Sequence, residues 1–293
     1  MSQAQDPRTA GPKPPFPDQE QEHPGTERKL DPPVDHGEQS YVGHGRLQDR
    51  TAIVTGGDSG IGRAIAICFA KEGADIVLSY LPEEERDAKE VEAQVEKAGR
   101  KIILHPGDIG DKNYAQSLVS TAMDKFGKID IVVNNAAFQM SRKSMDEIPE
   151  DEFEHTYRTN IFGLYYITKA AMPKMKPGGV ILNTTSIQTF RPSGELLAYA
   201  GTKAAIANMT KGLAQLGAKN GIRVNAVAPG PVWTPLIPST MPPEKVKNFG
   251  SQTLFERPAQ PVELARIFVF LASDEATFIS GEIYAATGGP TPL

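Results

Sequence analysis

Short apolar runs alternate with longer stretches of helical periodicity from residue 48 onward. Strands are predicted at 51–54, 75–80, 101–105, 129–133, 180–184, 222–227 and 282–286. Helices are predicted between them at 62–71, 83–98, 114–126, 151–175, 198–219 and 262–272. Because parallel strands need long helical crossovers, this alternation is typical of βαβ units. We therefore predict an α/β fold, a doubly wound parallel sheet of seven strands with helices on both faces.

The first 47 residues lack this pattern. Residues 1–40 contain six apolar side chains and eight of the 24 prolines, so they cannot bury enough apolar surface to offset the entropy of ordering. We predict a proline-rich arm, extended or disordered, over 1–47 and a single domain over 48–293. Two alternatives stay open for the arm: a tail without a role, or a segment lying along the body or a neighbouring subunit, anchored by Phe16, Leu30 and Tyr41.

Charge and composition exclude several classes of function. The 31 Lys and Arg against 36 Asp and Glu give a net charge of −5, which argues against nucleic acid or an anionic membrane as a partner. No run approaches the roughly 18 apolar residues that span a bilayer, and residues 1–10 lack a signal-peptide pattern. The one cysteine, Cys68, lies in an apolar run and is expected in the core. A single cysteine excludes an internal disulfide framework, and we expect a cytoplasmic protein. The five histidines form no metal-ligand pattern, so no metal site is predicted.

A glycine-rich turn, Thr55-Gly56-Gly57-Asp58-Ser59-Gly60-Ile61-Gly62, lies between the first predicted strand and its helix. Its glycines permit close backbone approach, and the helix N-terminus offers free N–H groups to a pyrophosphate. The spacing is G-x-x-x-G-x-G, and no P-loop Lys follows. Glycines also serve simple chain reversal, but at this position they favour dinucleotide binding by a Rossmann-like domain.

Further motifs follow the successive strands: Asp108-Ile109, Asn134-Asn135-Ala136-Ala137, Asn160, Ser186, Tyr199-x-x-x-Lys203 and Pro229-Gly230-x-Val232-x-Thr234. With the glycine-rich turn, and in this order, they make residues 48–293 resemble the short-chain dehydrogenase/reductase family. His23-Pro24-Gly25 and Gly37-Glu38-Gln39-Ser40-Tyr41 extend the resemblance to a bacterial and plant subgroup, often labelled glucose/ribitol dehydrogenase-like or general-stress oxidoreductases. The resemblance implies an NAD(P)-dependent enzyme that interconverts an alcohol and a carbonyl, and a homotetramer formed through the helices of Asn160 and Tyr199.

Tyr199 and Lys203 are four residues apart on one predicted helix, so their side chains share a face. A neighbouring ammonium and an oxidised nicotinamide both favour the phenolate, so we expect the pKa of Tyr199 to be lowered. By resemblance, Tyr199 is the general acid/base, Lys203 holds the ribose, Ser186 orients the substrate and Asn160 holds a water. Taken singly, these residues have ordinary explanations: an exposed helix pair, a turn serine and a satisfied buried amide.

The resemblance also implies which residues line the cofactor. Asp108 is expected beside the adenine, although it could instead cap the next helix, and the asparagines at 134 and 135 could be plain turn formers. Ala137 stands where many relatives carry Gly. The predicted cofactor contacts are Gly56, Asp58, Ser59, Gly60, Ile61, Gly62, Tyr80, Leu81, Asp108, Ile109, Asn135, Ala136, Ala137, Tyr199, Lys203, Pro229, Gly230, Val232 and Thr234.

The choice between NAD and NADP stays undecided. An acidic residue at the end of the second strand selects NAD, and a basic one accepts the 2′-phosphate of NADP. Here Ser79-Tyr80-Leu81-Pro82 is neither, and Ser59 stands where many NADP-dependent relatives carry Arg. Arg86 or Lys89 could still reach a phosphate. The acidic run 83–85 is interpreted as a solvated helix start.

The segment 235–261 is expected to roof the substrate pocket as a mobile lid, or else to pack against another subunit. The substrate is expected to be a polyol or sugar, or a small aldehyde or ketone. Two alternatives remain: a 3-oxoacyl-carrier-protein-type reductase, which would need a basic patch beside the lid, and a non-catalytic dinucleotide-binding stress protein.

Overall fold

The computed structural model describes residues 5–289; the ends of the predicted arm and domain, 1–4 and 290–293, lie outside it. The strands are β1 (Thr51–Thr55), β2 (Asp75–Tyr80), β3 (Ile102–Pro106), β4 (Ile131–Asn134), β5 (Val180–Thr184), β6 (Arg223–Pro229) and β7 (Ile283–Ala286). The helices are α1 (Gly60–Lys71), α2 (Glu85–Lys97), α3 (Lys112–Phe126), α4 (Glu150–Tyr157), α5 (Leu164–Ala171), α6 (Leu197–Ala218), α7 (Leu236–Thr240), α8 (Pro243–Lys247) and α9 (Pro261–Ala272).

All seven strands form one parallel sheet in the order β3-β2-β1-β4-β5-β6-β7. The predicted doubly wound seven-stranded fold is confirmed. β1, β4 and β5 are buried along their whole length, as expected for strands covered on both faces. The order of the strands reverses between β1 and β4, which marks the place where such sheets bind ligands.

Helices cover both faces of the sheet. One hydrophobic core packs α1, α2 and α9 against the sheet, and a second packs α3, α5 and α6 against its other face. Cys68 lies in the first core and is fully buried, as predicted. Among residues 5–289, no helix is long and apolar enough to cross a membrane.

The helix predicted over 151–175 is not one regular helix. A π-helical segment, Arg158–Gly163, joins α4 to α5, and a 3-10 turn follows at Met172–Lys174. A π segment shifts the side chains beyond it around the helix axis, and such segments are frequent at functional sites. This one contains Asn160.

The N-terminal arm lies on the body of the protein. Phe16 and Leu30 are buried in a cluster with Trp233, and the Phe16 and Trp233 ring centroids are 4.3 Å apart. Tyr41 packs into the core around α1, and its hydroxyl donates to the buried carboxylate of Glu72. Of the two alternatives for the arm, the described residues therefore adopt the one in which these side chains are anchors.

Candidate active site

A cavity of about 820 Å³ lies at the carboxyl ends of the strands, where the strand order reverses. Segments that follow β1, β2, β3, β4, β5 and β6 all contribute to its wall. This volume lies within the range of small-molecule and cofactor sites. Every predicted site residue lines this cavity except Gly62 and Asn160, whose positions are described below.

The glycine-rich turn forms one wall of the cavity. Gly57 N–H donates to the Ser79 carbonyl (3.2 Å), which holds the turn against the end of β2. Gly56 and Gly60 have φ of +57° and +51°, a region that favours glycine. Gly62 lies behind the wall, because a Cβ there would stand 1.8 Å from the Gly56 carbonyl oxygen. Its role is therefore the close contact between α1 and the turn.

Asn134 and Asn135 are structural ties as well as turn residues. The Asn135 amide donates to the carbonyls of Thr55 (3.2 Å) and Gly56 (3.1 Å). Asn134 donates to the Asn183 side chain in β5 (2.9 Å). These bonds fix the distance between β1, β4 and β5 on either side of the reversal in strand order.

Tyr199, Lys203 and Ser186 meet on the wall formed by β5 and α6. The Lys203 ammonium donates to the Thr184 carbonyl (2.9 Å) and lies 5.2 Å from the centroid of the Tyr199 ring. Ser186 hydrogen-bonds the Tyr199 hydroxyl. Tyr199 and Lys203 lie on α6 and Ser186 follows β5, and all three side chains therefore line the same cavity.

Burial dominates the titration of this cluster. Burial raises the pKa of Tyr199 to about 12, although the hydrogen bond with Ser186 acts in the opposite direction. Burial lowers the pKa of the Lys203 ammonium to about 7. The pKa of Tyr199 is therefore raised, whereas a neighbouring ammonium was expected to lower it. The reason is that burial removes water from the phenol, and this disfavours the phenolate.

Asn160 makes its described contacts behind the cavity. Its carbonyl oxygen accepts from Phe138 N–H (2.7 Å), and its amide donates to the Phe138 carbonyl (2.9 Å) and the Thr202 hydroxyl (3.0 Å). Thr202 in turn donates to the Tyr199 carbonyl (2.7 Å). The side chain thus joins the π-helical segment to the segment after β4 and to α6.

The other end of the cavity is acidic. Asp108 lines it, and Asp111 rather than Asp108 caps α3 by accepting from Asn113 N–H (2.7 Å), so the helix-cap alternative for Asp108 is wrong. Asp58 is 1% exposed. Glu84 also lines the cavity, although the acidic run 83–85 that contains it was expected to be a solvated helix start.

The arm supplies wall residues that sequence reasoning missed. His23 and Pro24 line the cavity, and the His23 ring packs edge-on against Phe138 with centroids 4.9 Å apart. Burial lowers the pKa of His23, and the nearby His155 acts in the same direction. The motif His23-Pro24-Gly25 carried part of the family resemblance, which was a signal that this part of the arm could serve the site.

The predicted lid contains α7 and α8, and several of its apolar side chains face the cavity, including Leu236, Ile237, Met241, Phe249 and Leu254. Its neighbour in the chain, Trp233, is fully buried under the arm. The lid thus packs against the arm of its own chain, which neither sequence-based alternative included.

The residues present fit a dinucleotide. The turn at the N-terminus of α1 is shaped for a pyrophosphate, and the cavity continues from it in both directions. A buried Asp58 carboxylate oxygen at one end has no hydrogen-bond partner among residues 5–289, as expected for a group that a ligand hydroxyl would satisfy.

Comparisons with known proteins agree with this geometry. The family profile described as Enoyl-(Acyl carrier protein) reductase matches residues 56–291. The Uncharacterized oxidoreductase YghA of Escherichia coli (strain K12) is 46% identical over 290 residues, 99% of each chain. Glucose and ribitol dehydrogenase of Daucus carota is 41% identical, with 94% of this chain and 96% of the relative covered. NADPH-dependent aldehyde reductase 1, chloroplastic, of Arabidopsis thaliana is 40% identical, with 91% and 94% covered.

Solved structures have the same fold. A short-chain dehydrogenase from Burkholderia cenocepacia J2315 in complex with NADP aligns with a TM-score of 0.78 at 32% identity, over 83% of this chain and 98% of that one. The 3-ketoacyl-(acyl-carrier-protein) reductase from Brucella melitensis complexed with NADH aligns at 0.75 and 30%, with the same coverage. The family profile, the relatives and the solved structures each match more than four fifths of the chain, so the chain belongs to the short-chain dehydrogenase/reductase family and is an NAD(P)-dependent oxidoreductase.

Proposed function

We propose that the protein interconverts an alcohol and a carbonyl, with Tyr199 as the general acid/base. The convergence of Tyr199, Ser186 and Lys203 on one cavity with the glycine-rich turn carries this proposal. When bound, the nicotinamide of NAD(P) supplies the hydride chemistry. Residues of the turn and Tyr199 line the same cavity, so cofactor and substrate can occupy it together.

Each residue then has a separate task. The Tyr199 hydroxyl gives a proton to the substrate oxygen in reduction and takes it back in oxidation, while Ser186 hydrogen-bonds the same oxygen. Lys203 lies deeper, where its ammonium can bind the ribose and stabilise the phenolate. We assign Asn160 to positioning Phe138 and α6, and its part in holding a water stays a prediction.

The half-buried Tyr199 side chain supports a direction for the pH dependence. With its pKa at about 12, the phenol is protonated at neutral pH and ready to act as the acid in carbonyl reduction. Alcohol oxidation needs the phenolate, so we expect its rate to increase as the pH is raised. Positive charge from the oxidised cofactor shifts this increase toward lower pH.

The substrate class is a polyol or sugar, or a small aldehyde or ketone. The names of the carrot and Arabidopsis relatives support each of these in turn. The wall near Tyr199 mixes apolar lid side chains with polar groups, including Gln188, Arg191 and Ser193, which suits a small molecule with an apolar part and hydroxyl groups. A panel of polyols, aldehydes and ketones, each assayed with NAD(H) and NADP(H), tests this assignment.

A carrier-protein reductase is less well supported, although the family profile carries such a name. An acidic carrier protein would need free basic groups beside the lid. Lys245 pairs with Glu195, Lys247 lies 3.4 Å from Asp18, and Arg142 pairs with Glu152. These three basic groups are therefore already neutralised within the chain.

The replacement Tyr199→Phe tests the mechanism. We expect kcat to fall by at least about 100-fold, the usual contribution of general acid–base catalysis, while dinucleotide binding is retained. Tyr284→Phe, in β7 and outside the cavity lining, is the matched control. Unchanged turnover in Tyr199→Phe would exclude Tyr199 as the acid/base.

We infer that the enzyme is a homotetramer. Phe162, Tyr165 and Leu216 are 45%, 44% and 59% exposed, and they lie on the π-helical segment, α5 and α6, whose family counterparts are expected at the interface. Analytical ultracentrifugation tests the assembly. A mass of 31.7 kDa in solution, that of one chain, would contradict it.

A further inference from the structure

The end of β2 leaves the choice of cofactor open, because it offers no charged group. Its two last side chains are engaged with neighbours: the Tyr114 hydroxyl donates to Ser79 Oγ (2.8 Å), and the Tyr80 hydroxyl donates to Glu85. An acidic residue at this strand end is the usual partner of the adenosine ribose hydroxyls. That partner must come from elsewhere if the cavity selects NAD.

Two carboxylates reach the same place from other segments. The bond from Gly57 N–H to Ser79 holds the glycine-rich turn, and with it Asp58, beside the end of β2. Glu84 enters from the segment after β2, and its carboxylate accepts from Leu81 N–H (3.0 Å). Both side chains line the cavity.

The surroundings of Asp58 indicate a ligand rather than a structural carboxylate. Asp58 is 1% exposed, and its Oδ2 atom has no hydrogen-bond partner within residues 5–289. Leaving such an acceptor unpaired is unfavourable. A ribose has two adjacent hydroxyl groups, each of which can donate to a carboxylate.

Burial and electrostatic repulsion raise the pKa of both carboxylates, Asp58 and Glu84. Burial raises the pKa of Asp58 to about 7, although hydrogen bonds to its own backbone N–H and to the Ser59 side chain act in the opposite direction, and nearby Asp87 and Glu27 add to the increase. Burial and the Asp58 charge raise the pKa of Glu84 to about 8. A doubly charged phosphate brought between them would add to this repulsion, whereas a neutral hydroxyl would relieve it.

The cations that could offset a phosphate are directed elsewhere. Arg63 pairs with Glu90 (3.1 Å) and Glu38 (3.4 Å), and Lys89 pairs with Glu92 (2.9 Å). Arg86 is exposed. None of these three cations lines the cavity, so among the residues that the structure describes none of the three offsets a phosphate at the adenosine end.

We propose that Asp58 and Glu84 make the enzyme select NAD(H) over NADP(H), with the Asp58 carboxylate binding the ribose hydroxyls and both carboxylates repelling a 2′-phosphate. The selecting acid thus lies in the glycine-rich turn instead of at the end of β2. The proposal rests on the proposed function only for dinucleotide binding and does not depend on the role of Tyr199.

Isothermal titration calorimetry of the full chain with NADH and NADPH, without substrate, tests the proposal. We expect wild type to bind NADH at least about 30-fold more tightly than NADPH, since opposing like charges across an interface is strongly unfavourable. Asp58→Asn with Glu84→Gln, which keeps both shapes, should reduce the ratio to less than about fivefold, mainly by tightening NADPH binding. Glu83→Gln, on the same segment but outside the cavity lining, is the control and should keep the wild-type ratio.

Equal or tighter binding of NADPH by wild type would overturn the proposal, and so would a ratio that the double variant leaves unchanged. A thermal-shift comparison at saturating NADH and NADPH, run on each variant, verifies that it is folded and repeats the ranking independently. Because these measurements need no turnover, a protein that selects NADH but oxidises no alcohol would contradict the proposed function and leave this proposal intact.

Discussion

Gly62 controls how closely α1 approaches the cofactor turn. A Cβ at this position would lie 1.8 Å from the Gly56 carbonyl oxygen and 2.7 Å from the Asn135 amide nitrogen. The same Asn135 amide donates to the Thr55 and Gly56 carbonyls. One side chain larger than hydrogen would therefore push apart the helix, the turn and the end of β4 together.

We predict that Gly62→Ala lowers the free energy of unfolding by about 1–3 kcal/mol, the usual effect of overpacking, and weakens NADH binding. The reason is that the contact is with backbone atoms, which cannot rotate away. Urea unfolding and calorimetry measure the two effects. Gly194→Ala, where a Cβ would meet nothing within 4 Å, should change neither; equal behaviour of the two variants would contradict the close-contact role.

At the scale of elements, the π-helical segment between α4 and α5 connects three parts of the site. Through Asn160 it bonds both backbone groups of Phe138 and the hydroxyl of Thr202, which itself bonds the Tyr199 carbonyl. We expect this segment to set where the start of α6 lies relative to the strand ends. Its effect on turnover should then come through the position of Tyr199.

We predict that Asn160→Ala lowers the free energy of unfolding by about 1–3 kcal/mol, because it leaves two part-buried backbone groups of Phe138 unpaired. It should also reduce kcat more than it changes the KM for substrate. Urea unfolding and steady-state kinetics test both effects. Thr202→Val removes only one of the three bonds of Asn160 and should have the smaller effect; the reverse order would show that Phe138 is not the important partner.

The regular elements could be predicted from the sequence, and the irregular ones could not. Strands β1, β2 and β5 each contain three consecutive apolar residues, which the local sequence shows directly. The π segment was missed because Leu164, Ile167 and Ala171 keep the spacing of an ordinary helix on its far side. The position of Glu84 was missed because a run of like charges does not reveal which member faces inward; that depends on Asp58, which is distant in sequence.

At the scale of the whole molecule, the arm joins the cofactor turn to the lid. Glu27 accepts from Gly60 N–H, Gln21 N–H donates to the Pro238 carbonyl (2.9 Å), and the Trp233 indole donates to Pro32 (2.9 Å). Composition could suggest only low hydrophobic content here, because a few anchors and backbone bonds leave little trace in it. The division into an arm at 1–47 and a domain at 48–293 stays a prediction.

We predict that Phe16→Ala lowers the free energy of unfolding of the arm contacts by about 3 kcal/mol, as is usual for a buried Phe. Trp233, the one tryptophan in the chain, should then become accessible to water, which shifts its fluorescence to longer wavelength. Val42→Ala, at a residue 70% exposed, should leave stability and emission unchanged. An unshifted spectrum in Phe16→Ala would mean that the arm does not cover Trp233 in solution.

His36 forms ion pairs with two carboxylates of the arm, those of Glu27 and Glu38. It is buried, with Nε2 2.9 Å from the Glu27 carboxylate and Nδ1 3.4 Å from Glu38. Burial lowers the pKa of His36, but attraction to Glu27 and hydrogen bonds to both carboxylates outweigh it and raise the pKa to about 9, with nearby Arg63 opposing. The imidazolium therefore balances the Glu27 carboxylate that contacts the N-terminus of α1.

We predict that this pair stabilises the protein below about pH 6.5 and that the effect is lost as the pH rises through about 9, because the folded state binds the proton more tightly than the unfolded chain. Lys203, whose lowered pKa changes stability in the opposite direction, titrates in the same range, so wild type must be compared with His36→Gln at each pH. The difference in the free energy of unfolding should shrink by at most about 3 kcal/mol between pH 6 and pH 10, and Trp233 emission should shift over the same interval in wild type only. A difference that is constant with pH would mean that His36 is neutral in the folded protein and that Glu27 keeps its contact with Gly60 without a cation.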